Sequence, residues 1–201
     1  MNTRKFSIAA ALATALVVSL ATVPAAPAAP AASAGQELPL RFAMNAQGLG
    51  RAISGQTRLE VTIDQLSTED DRQALLGALI ESGPGAVRER LQQMPVVGRV
   101  RVGAELSYPL HYARAYQLDD GGWRVVIATD RDIEMYEAVY RTRTVDYDLV
   151  IAELHLDAEL KGEGVLAAGV MLGWNSDTNT VLIEDYDTQP LRLKNVRPID
   201  Q

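Results

Sequence analysis

The sequence contains no cysteine and only two histidines, His111 and His155. Without cysteine the chain has no disulfide, no thiol nucleophile and no lipid-modified cysteine that could hold it on a membrane. Two histidines supply few of the ligands that a metal centre needs. The sequence also has neither a His-Glu-x-x-His nor a Gly-x-Ser-x-Gly motif. The sequence therefore predicts no metal, no cofactor and none of the common hydrolase motifs.

Positively charged residues are also fewer than negatively charged ones: 19 Lys and Arg against 26 Asp and Glu. The formal net charge is −7, and it becomes more negative if Arg4 and Lys5 are removed with an N-terminal leader. An acidic chain repels phosphate backbones and anionic lipid headgroups. We therefore expect neither a nucleic-acid partner nor a membrane partner for the mature protein.

The N-terminal segment has the three zones of a Sec-type signal peptide. Arg4 and Lys5 form a basic start, residues 6–23 are mainly apolar, and small residues with Pro24, Pro27 and Pro30 follow. We expect a signal peptide at 1–26, with cleavage sites available as far as 34, and a flexible Ala/Pro/Ser/Gly-rich leader at 27–55. The remaining residues, 56–201, are predicted to form one domain in a bacterial periplasm or in the medium.

Two helices follow the first strand that the pattern predicts. Residues 57–65 alternate apolar and polar side chains, which is typical of a half-buried strand. Ser67 is the expected N-cap of a helix at 68–81, with Asp70 reaching back to it. Gly83 and Pro84 end that helix and begin another at 84–94.

From residue 95 onward the sequence favours strands joined by short turns. The even-numbered positions from 106 to 118 are apolar or aromatic except Arg114, and Pro109 suggests an edge strand or a bulge. A tight turn at 119–122 leads to a strand at 123–129, and further strands are predicted at 147–156, 165–172 and 191–196. The fold class is α+β: seven or eight mainly antiparallel strands that curl toward a barrel or a sandwich, with a helical hairpin after the first strand.

Polar residues that interrupt or end apolar strands are the candidate functional residues. Arg114 interrupts one strand, Asp130 and Arg131 end the strand at 123–129, and Tyr147 and Glu153 lie on the strand at 147–156. Five residues, Arg114, Asp130, Arg131, Tyr147 and Glu153, thus form the predicted ligand-binding set. No catalytic residue is predicted.

Several motifs resemble those of an uncharacterised family of exported bacterial proteins. They are the segment 108–114 (YPLHYAR), the turn 120–122 (DGG), 128–131 (ATDR), 161–164 (KGEG) and 190–196 (PLRLKNV), together with Tyr147, Ile151 and Glu153. The resemblance extends from about residue 58 to the end of the chain. It implies one intact domain, and it implies no activity, because none is established for the family.

These patterns support three functional hypotheses. The first is an exported domain that binds a small ligand or an envelope protein without catalysis. The second is a hydrolase of an envelope polymer or glycan that uses a carboxylate pair, with Asp130 and Glu153 as the candidates. The third is a purely structural or assembly module, and the sequence assigns no oligomeric state to any of them.

Overall fold

A computed structural model describes residues 38–48, 56–103, 106–130, 149–177, 180–186 and 190–199. The predicted signal peptide and the leader up to residue 37 lie outside this range. The described helices are α1 (Glu69–Ser82) and α2 (Pro84–Gln93). The described strands are β1 (Leu40–Gln47), β2 (Gln56–Ile63), β3 (Gly98–Val102), β4 (Leu106–Leu110), β5 (Tyr112–Gln117), β6 (Trp123–Thr129), β7 (Val150–Leu156), β8 (Gly162–Ala168), β9 (Val170–Asn175), β10 (Thr180–Tyr186) and β11 (Leu191–Pro198).

Nine strands form one antiparallel sheet in the order β4-β3-β2-β1-β11-β8-β7-β6-β5. The two strands at the ends of this order, β4 and β5, are joined in the chain by His111 alone, whose backbone N–H donates to the carbonyl of Ala128 at 3.2 Å. The sheet therefore bends back on itself and is nearly barrel-shaped. The mainly antiparallel sheet and the helical hairpin confirm these parts of the predicted fold class, and β9 and β10 form a separate two-stranded sheet.

Apolar side chains fill the inside of this sheet. Alternate residues of the nine strands point inward, and β4 contributes Leu110 and the partly buried Tyr108. Seven large ones are no more than 1% exposed: Phe42, Leu59, Ile63, Leu110, Leu154, Leu191 and Leu193. Burial of these side chains is the main source of stability for a chain that has no disulfide to brace it.

The helical hairpin begins and ends at local capping signals. Thr68 is the N-cap of α1: its side chain accepts a hydrogen bond from the N–H of Asp71 at 3.1 Å, and the Asp71 carboxylate accepts one from the N–H of Thr68 at 2.7 Å. Gly83, with φ of 83°, ends α1, and Pro84 is the first residue of α2. These bounds lie within one residue of the predicted helices.

The predicted N-cap, Ser67 with Asp70, was wrong by one residue. Ser67 is buried, and its backbone N–H donates to the carbonyl of Ala113 at 2.7 Å while its hydroxyl accepts from the N–H of Ala113 at 3.1 Å. Ser67 therefore hydrogen-bonds to β5. Thr68, the next residue with a side-chain oxygen, is the N-cap instead.

Both helices and the β9–β10 hairpin pack on the outer surface of β5, β6, β7 and β8. We call this surface the covered face. A second apolar cluster lies between the two layers and includes Leu79, Val87, Leu91, Val126 and Leu172.

Strand β1 lies within the segment 27–55 that was expected to be a flexible leader. It pairs along its whole length with β2 and also with β11, so that part of the leader prediction was wrong. The signal was present in the sequence: Leu40, Phe42, Met44 and Ala46 alternate with polar residues at two of the three intervening positions, and they all point into the core.

The predicted run of strand residues from 106 to 118 also differs from the structure. His111 adds one residue between β4 and β5, so that Leu110 and Ala113 both point inward. Tyr112, Arg114 and Tyr116 consequently lie on the covered face, and the inward positions of β5 belong to alanines. A second difference is at Gly169, where a φ of 61° divides the predicted strand 165–172 between β8 and β9.

Candidate functional site

Strand register arranges the covered face in rows that run across β5, β6 and β7. Arg114 is opposite Val126, which in turn is opposite Glu153. The next row contains Tyr116, Arg124 and His155 in the same order. Two of the five predicted site residues, Arg114 and Glu153, thus share one row and are separated by a single apolar side chain.

Arg114 is the most unusual charged residue of the covered face, because it is only 4% exposed. Its Nη2 atom lies 3.1 Å from Oε2 of Glu69, in the first turn of α1, and its guanidinium carbon is 5.3 Å from the ring centre of Tyr116. Its Nε and Nη1 atoms are buried and have no hydrogen-bond partner among the described residues. A buried, unpaired donor costs about 1–3 kcal/mol, so these two nitrogens need an acceptor.

Glu69 holds a second arginine as well. Its Oε1 atom accepts from Nε of Arg72 at 2.8 Å and from Nε2 of Gln73 at 2.9 Å, while Nη2 of Arg72 is 2.6 Å away. These hydrogen bonds, that from Arg72 first, lower the pKa of Glu69, and Glu69 raises the pKa of Arg72. The Glu69 carboxylate therefore pairs with two guanidinium groups. The cluster of Glu69, Arg72 and Arg114 has one positive charge that Glu69 does not neutralise.

Tyr112 lies one position before Ala113 on β5 and is 3% exposed. Its hydroxyl has no hydrogen-bond partner among the described residues. Burial raises its pKa strongly, and the neighbouring Tyr116 raises it further while Arg114 and Arg72 act in the opposite direction. The hydroxyl is thus neutral at any physiological pH, and it is a second unpaired polar group beside Arg114.

A slot between the helical hairpin and the covered face passes Tyr112 and Arg72. Its volume is about 70 Å³, which holds several atoms and is smaller than the roughly 300–1,000 Å³ of pockets for drug-sized ligands. Apart from Arg72 and Tyr112 the lining is apolar: Leu75, Leu76, Leu79, Val87, Leu91, Val126, Ala128, Leu149, Ile151, Leu172 and Val181. The slot therefore suits a short alkyl group.

Glu153 makes a local pair with His155, two residues along β7. Its Oε1 atom is 2.8 Å from Nε2 of the histidine, whose side chain is 62% exposed. The second carboxylate oxygen, Oε2, is buried and has no hydrogen-bond partner among the described residues. Glu153 is therefore another incompletely bonded polar group in the row of Arg114.

Asp130 lies at the end of β6 and faces a different histidine. Its Oδ1 atom is 3.6 Å from Nε2 of His111, and Nδ1 of the same ring is 2.9 Å from the carbonyl oxygen of Met94. Since Glu153 is opposite Val126, four residues before Asp130, the Cα atoms of the two acids are about 14 Å apart at ~3.3 Å per residue and ~4.8 Å between strands. The two acids occupy separate surroundings, each with its own histidine.

Arg131 and Tyr147, the other two predicted site residues, lie outside the described residues. Of the three predicted site residues that the structure describes, Arg114 and Glu153 lie in one row of the covered face. Asp130 lies at the end of β6, beside His111. Glu69, Arg72 and Tyr112 were not predicted as site residues. Tyr112 carried a visible signal, since it precedes Arg114 in the same alternation.

No group of three or more His, Cys, Asp or Glu side chains in the described ranges is placed to hold a metal ion. Neither of the two described helices is long and apolar enough to cross a membrane. Comparison with protein-family models, with curated proteins and with solved structures finds no match to this chain. A functional proposal therefore rests on the geometry of the covered face.

Proposed function

We propose that this protein is a non-catalytic binding domain for a small amphipathic anion, with a short alkyl chain in the slot and a carboxylate at Arg114. The observation that carries the proposal is the buried guanidinium of Arg114, which has two unpaired nitrogens beside the unpaired hydroxyl of Tyr112. The exported location expected from the sequence is part of the proposal.

The charge of the site favours an anion. Glu69 is the one carboxylate that contacts Arg72 and Arg114 in the described structure, so the pair of arginines is only half neutralised. A ligand carboxylate would supply the missing charge and would accept hydrogen bonds from the unpaired groups. Charge-assisted hydrogen bonds of this kind are about twice as strong as neutral ones.

The lining of the slot favours an alkyl chain as the other part of the ligand. Each buried methylene contributes about 0.8 kcal/mol, which is roughly a fourfold gain in affinity. Because the slot holds only about 70 Å³, the gain should stop once the first few carbons are buried. A ring system or a long, fully enclosed chain does not fit this volume.

Calorimetric titration of the protein with carboxylates of increasing chain length tests the proposal. We expect affinity to rise about fourfold per carbon for the shortest members and then to level off by octanoate. Octanol, which lacks the charge, should bind at least tenfold more weakly than octanoate.

Two variants locate the site. Ala128→Leu places three more carbons in the slot and should weaken octanoate at least tenfold, whereas Ala158→Leu makes the same change at an exposed turn and should have no effect. Arg114→Met should remove the preference for octanoate over octanol, with Arg90→Met on α2 as its control. If none of the carboxylates binds, or if Ala128→Leu binds octanoate as tightly as the wild type, the slot is not a binding site. That result would favour the hypothesis of a structural or assembly module.

A further inference from the structure

The outer surface of β4, β3, β2, β1 and β11 differs from the covered face in both cover and charge. We call it the basic face. Neither helix belongs to it, since both pack against the apolar cluster on the covered face. Seven cations lie on its strands, Arg41, Arg58, Arg99, Arg101, Arg192, Lys194 and Arg197, and the one carboxylate that its described side chains carry is Glu60.

A groove of about 350 Å³ runs over the basic face. Its lining consists of three arginines, two hydroxyl groups, one carboxylate and one apolar side chain: Arg41, Arg99, Arg101, Thr62, Ser107, Glu60 and Ile199. Register explains how they meet, because Thr62 is opposite Arg41 on one side and opposite Arg99 on the other, and Arg101 is opposite Ser107. The Cα atoms of Arg41 and Arg99 are thus about 10 Å apart, a span over which two long side chains converge.

Glu60 neutralises only part of this charge. It forms ion pairs with Arg101 and with Arg58, the latter at 2.9 Å, and Arg101 is the main reason that the pKa of Glu60 is lowered. Arg41 and Arg99 form no ion pair with any carboxylate in the described ranges, and Nε of Arg41 is buried there without a hydrogen-bond partner. The groove therefore has surplus positive charge and surplus hydrogen-bond donors.

We propose that this groove binds the phosphoryl group of a small phosphorylated molecule. A phosphoryl group offers three acceptor oxygens, and guanidinium groups match its geometry better than ammonium groups do. The groove is larger than inorganic phosphate requires and lies at the lower end of the usual range for small-ligand pockets. Arg192 and Lys194 lie on β11 outside the lining of the groove, Arg192 is opposite Gln47, and Lys194 pairs with Glu163 at 2.5 Å.

Calorimetric titration with phenyl phosphate and with inorganic phosphate at low ionic strength tests this site. We expect phenyl phosphate to bind and its affinity to fall as salt is added, since exposed charges are screened. Tighter binding of phenyl phosphate than of inorganic phosphate would assign the ligand to phosphate esters, and the reverse order would assign it to free phosphate. Absence of binding by both would overturn the proposal.

Variants separate the groove from the general charge of the face. Arg41→Gln and Arg99→Gln should each weaken phenyl phosphate at least tenfold, while Arg192→Gln, which removes the same charge outside the groove lining, should change the affinity less than twofold. Glu60→Gln should tighten binding severalfold, because it releases Arg101 and Arg58. Equal weakening by all three arginine variants would show a diffuse charge effect and would contradict a built site.

Discussion

The covered face and the basic face are two outer surfaces of one sheet, and they differ in nearly every property that decides how a surface behaves. Apolar residues such as Val126 and Ile151 predominate on the covered face, so burying it under two helices and a hairpin is favourable. The basic face has Arg41, Arg99 and Arg197 at comparable positions, and no apolar layer can pack on them without desolvating charge. Composition of the outward strand positions therefore decides on which half of the sheet the described helices and the β9–β10 hairpin pack.

The two faces share one arrangement. On each face a single glutamate holds two arginines: Glu69 holds Arg72 and Arg114, and Glu60 holds Arg58 and Arg101. The difference is the depth of the cations. Arg114 is 5% exposed at its side chain whereas Arg101 is 49% exposed, so the same kind of pair is a buried site on one face and part of a solvated groove on the other.

The largest effect on this comparison should come from Leu91, which is 1% exposed between α2 and the covered face. Leu91→Ala should lower the free energy of unfolding by about 2–5 kcal/mol, because it removes buried carbons and leaves a cavity. Chemical denaturation measures the change. Leu118→Ala, at a leucine that is 36% exposed, should cost much less, and an equal loss in both variants would show that the helical layer adds no tightly packed core.

A smaller effect is expected at the start of α1, where the helical layer is held by local bonds. Thr68→Ala removes both hydrogen bonds that the Thr68 hydroxyl makes with Asp71, and should cost about 1 kcal/mol. Hydrogen exchange should show the loss of protection first in α1 and much less in β2. Equal loss in both elements would mean that the layer and the sheet unfold as one unit.

Sequence patterns predicted the parts of the molecule that are set by neighbouring residues. The helices were predicted to within one residue although the predicted N-cap, Ser67, was wrong, because capping signals, Gly83 and Pro84 all act within a single turn. The turn at 119–122 is equally local: Gly121 has φ of 84°, and the Asp120 carboxylate accepts a hydrogen bond from the N–H of Gly122 at 2.9 Å. Such features need no knowledge of the rest of the chain.

The sites could not be predicted because they join distant segments. Arg114 was a candidate from its strand alone, yet its partner Glu69 lies on a helix 45 positions earlier and meets it only when the sheet bends at His111. The basic groove depends on β1, which was assigned to the leader, lying beside β2 and bringing Arg41 opposite Thr62. The net charge likewise did not predict the basic face, because a chain that is acidic overall can still have its arginines on one surface.

The smallest predicted change concerns Glu60 and depends on pH. Its side chain is 19% exposed against 49% for Glu69, so solvent screens it less. Glu60→Gln should lower the free energy of unfolding at pH 7 by about 0.5–1 kcal/mol, which is typical of a partly exposed ion-pair network. Thermal unfolding of both proteins across a pH series measures it.

The sign of the pH dependence follows from the lowered pKa of Glu60, whose main cause is the hydrogen bond from Arg101. A group with a lowered folded-state pKa stabilises the protein above its ordinary value of 4.5, and that contribution is lost as the pH falls through the folded-state value. The difference in stability between the wild type and Glu60→Gln should therefore persist from neutral pH down to about 5, begin to shrink near 4.5 and vanish only below the lowered folded-state pKa, with the exposed Glu89→Gln as the control. A difference that persists unchanged in acid would mean that the Glu60 carboxylate is not what holds the two arginines, and the contrast between the faces would then rest on apolar burial alone.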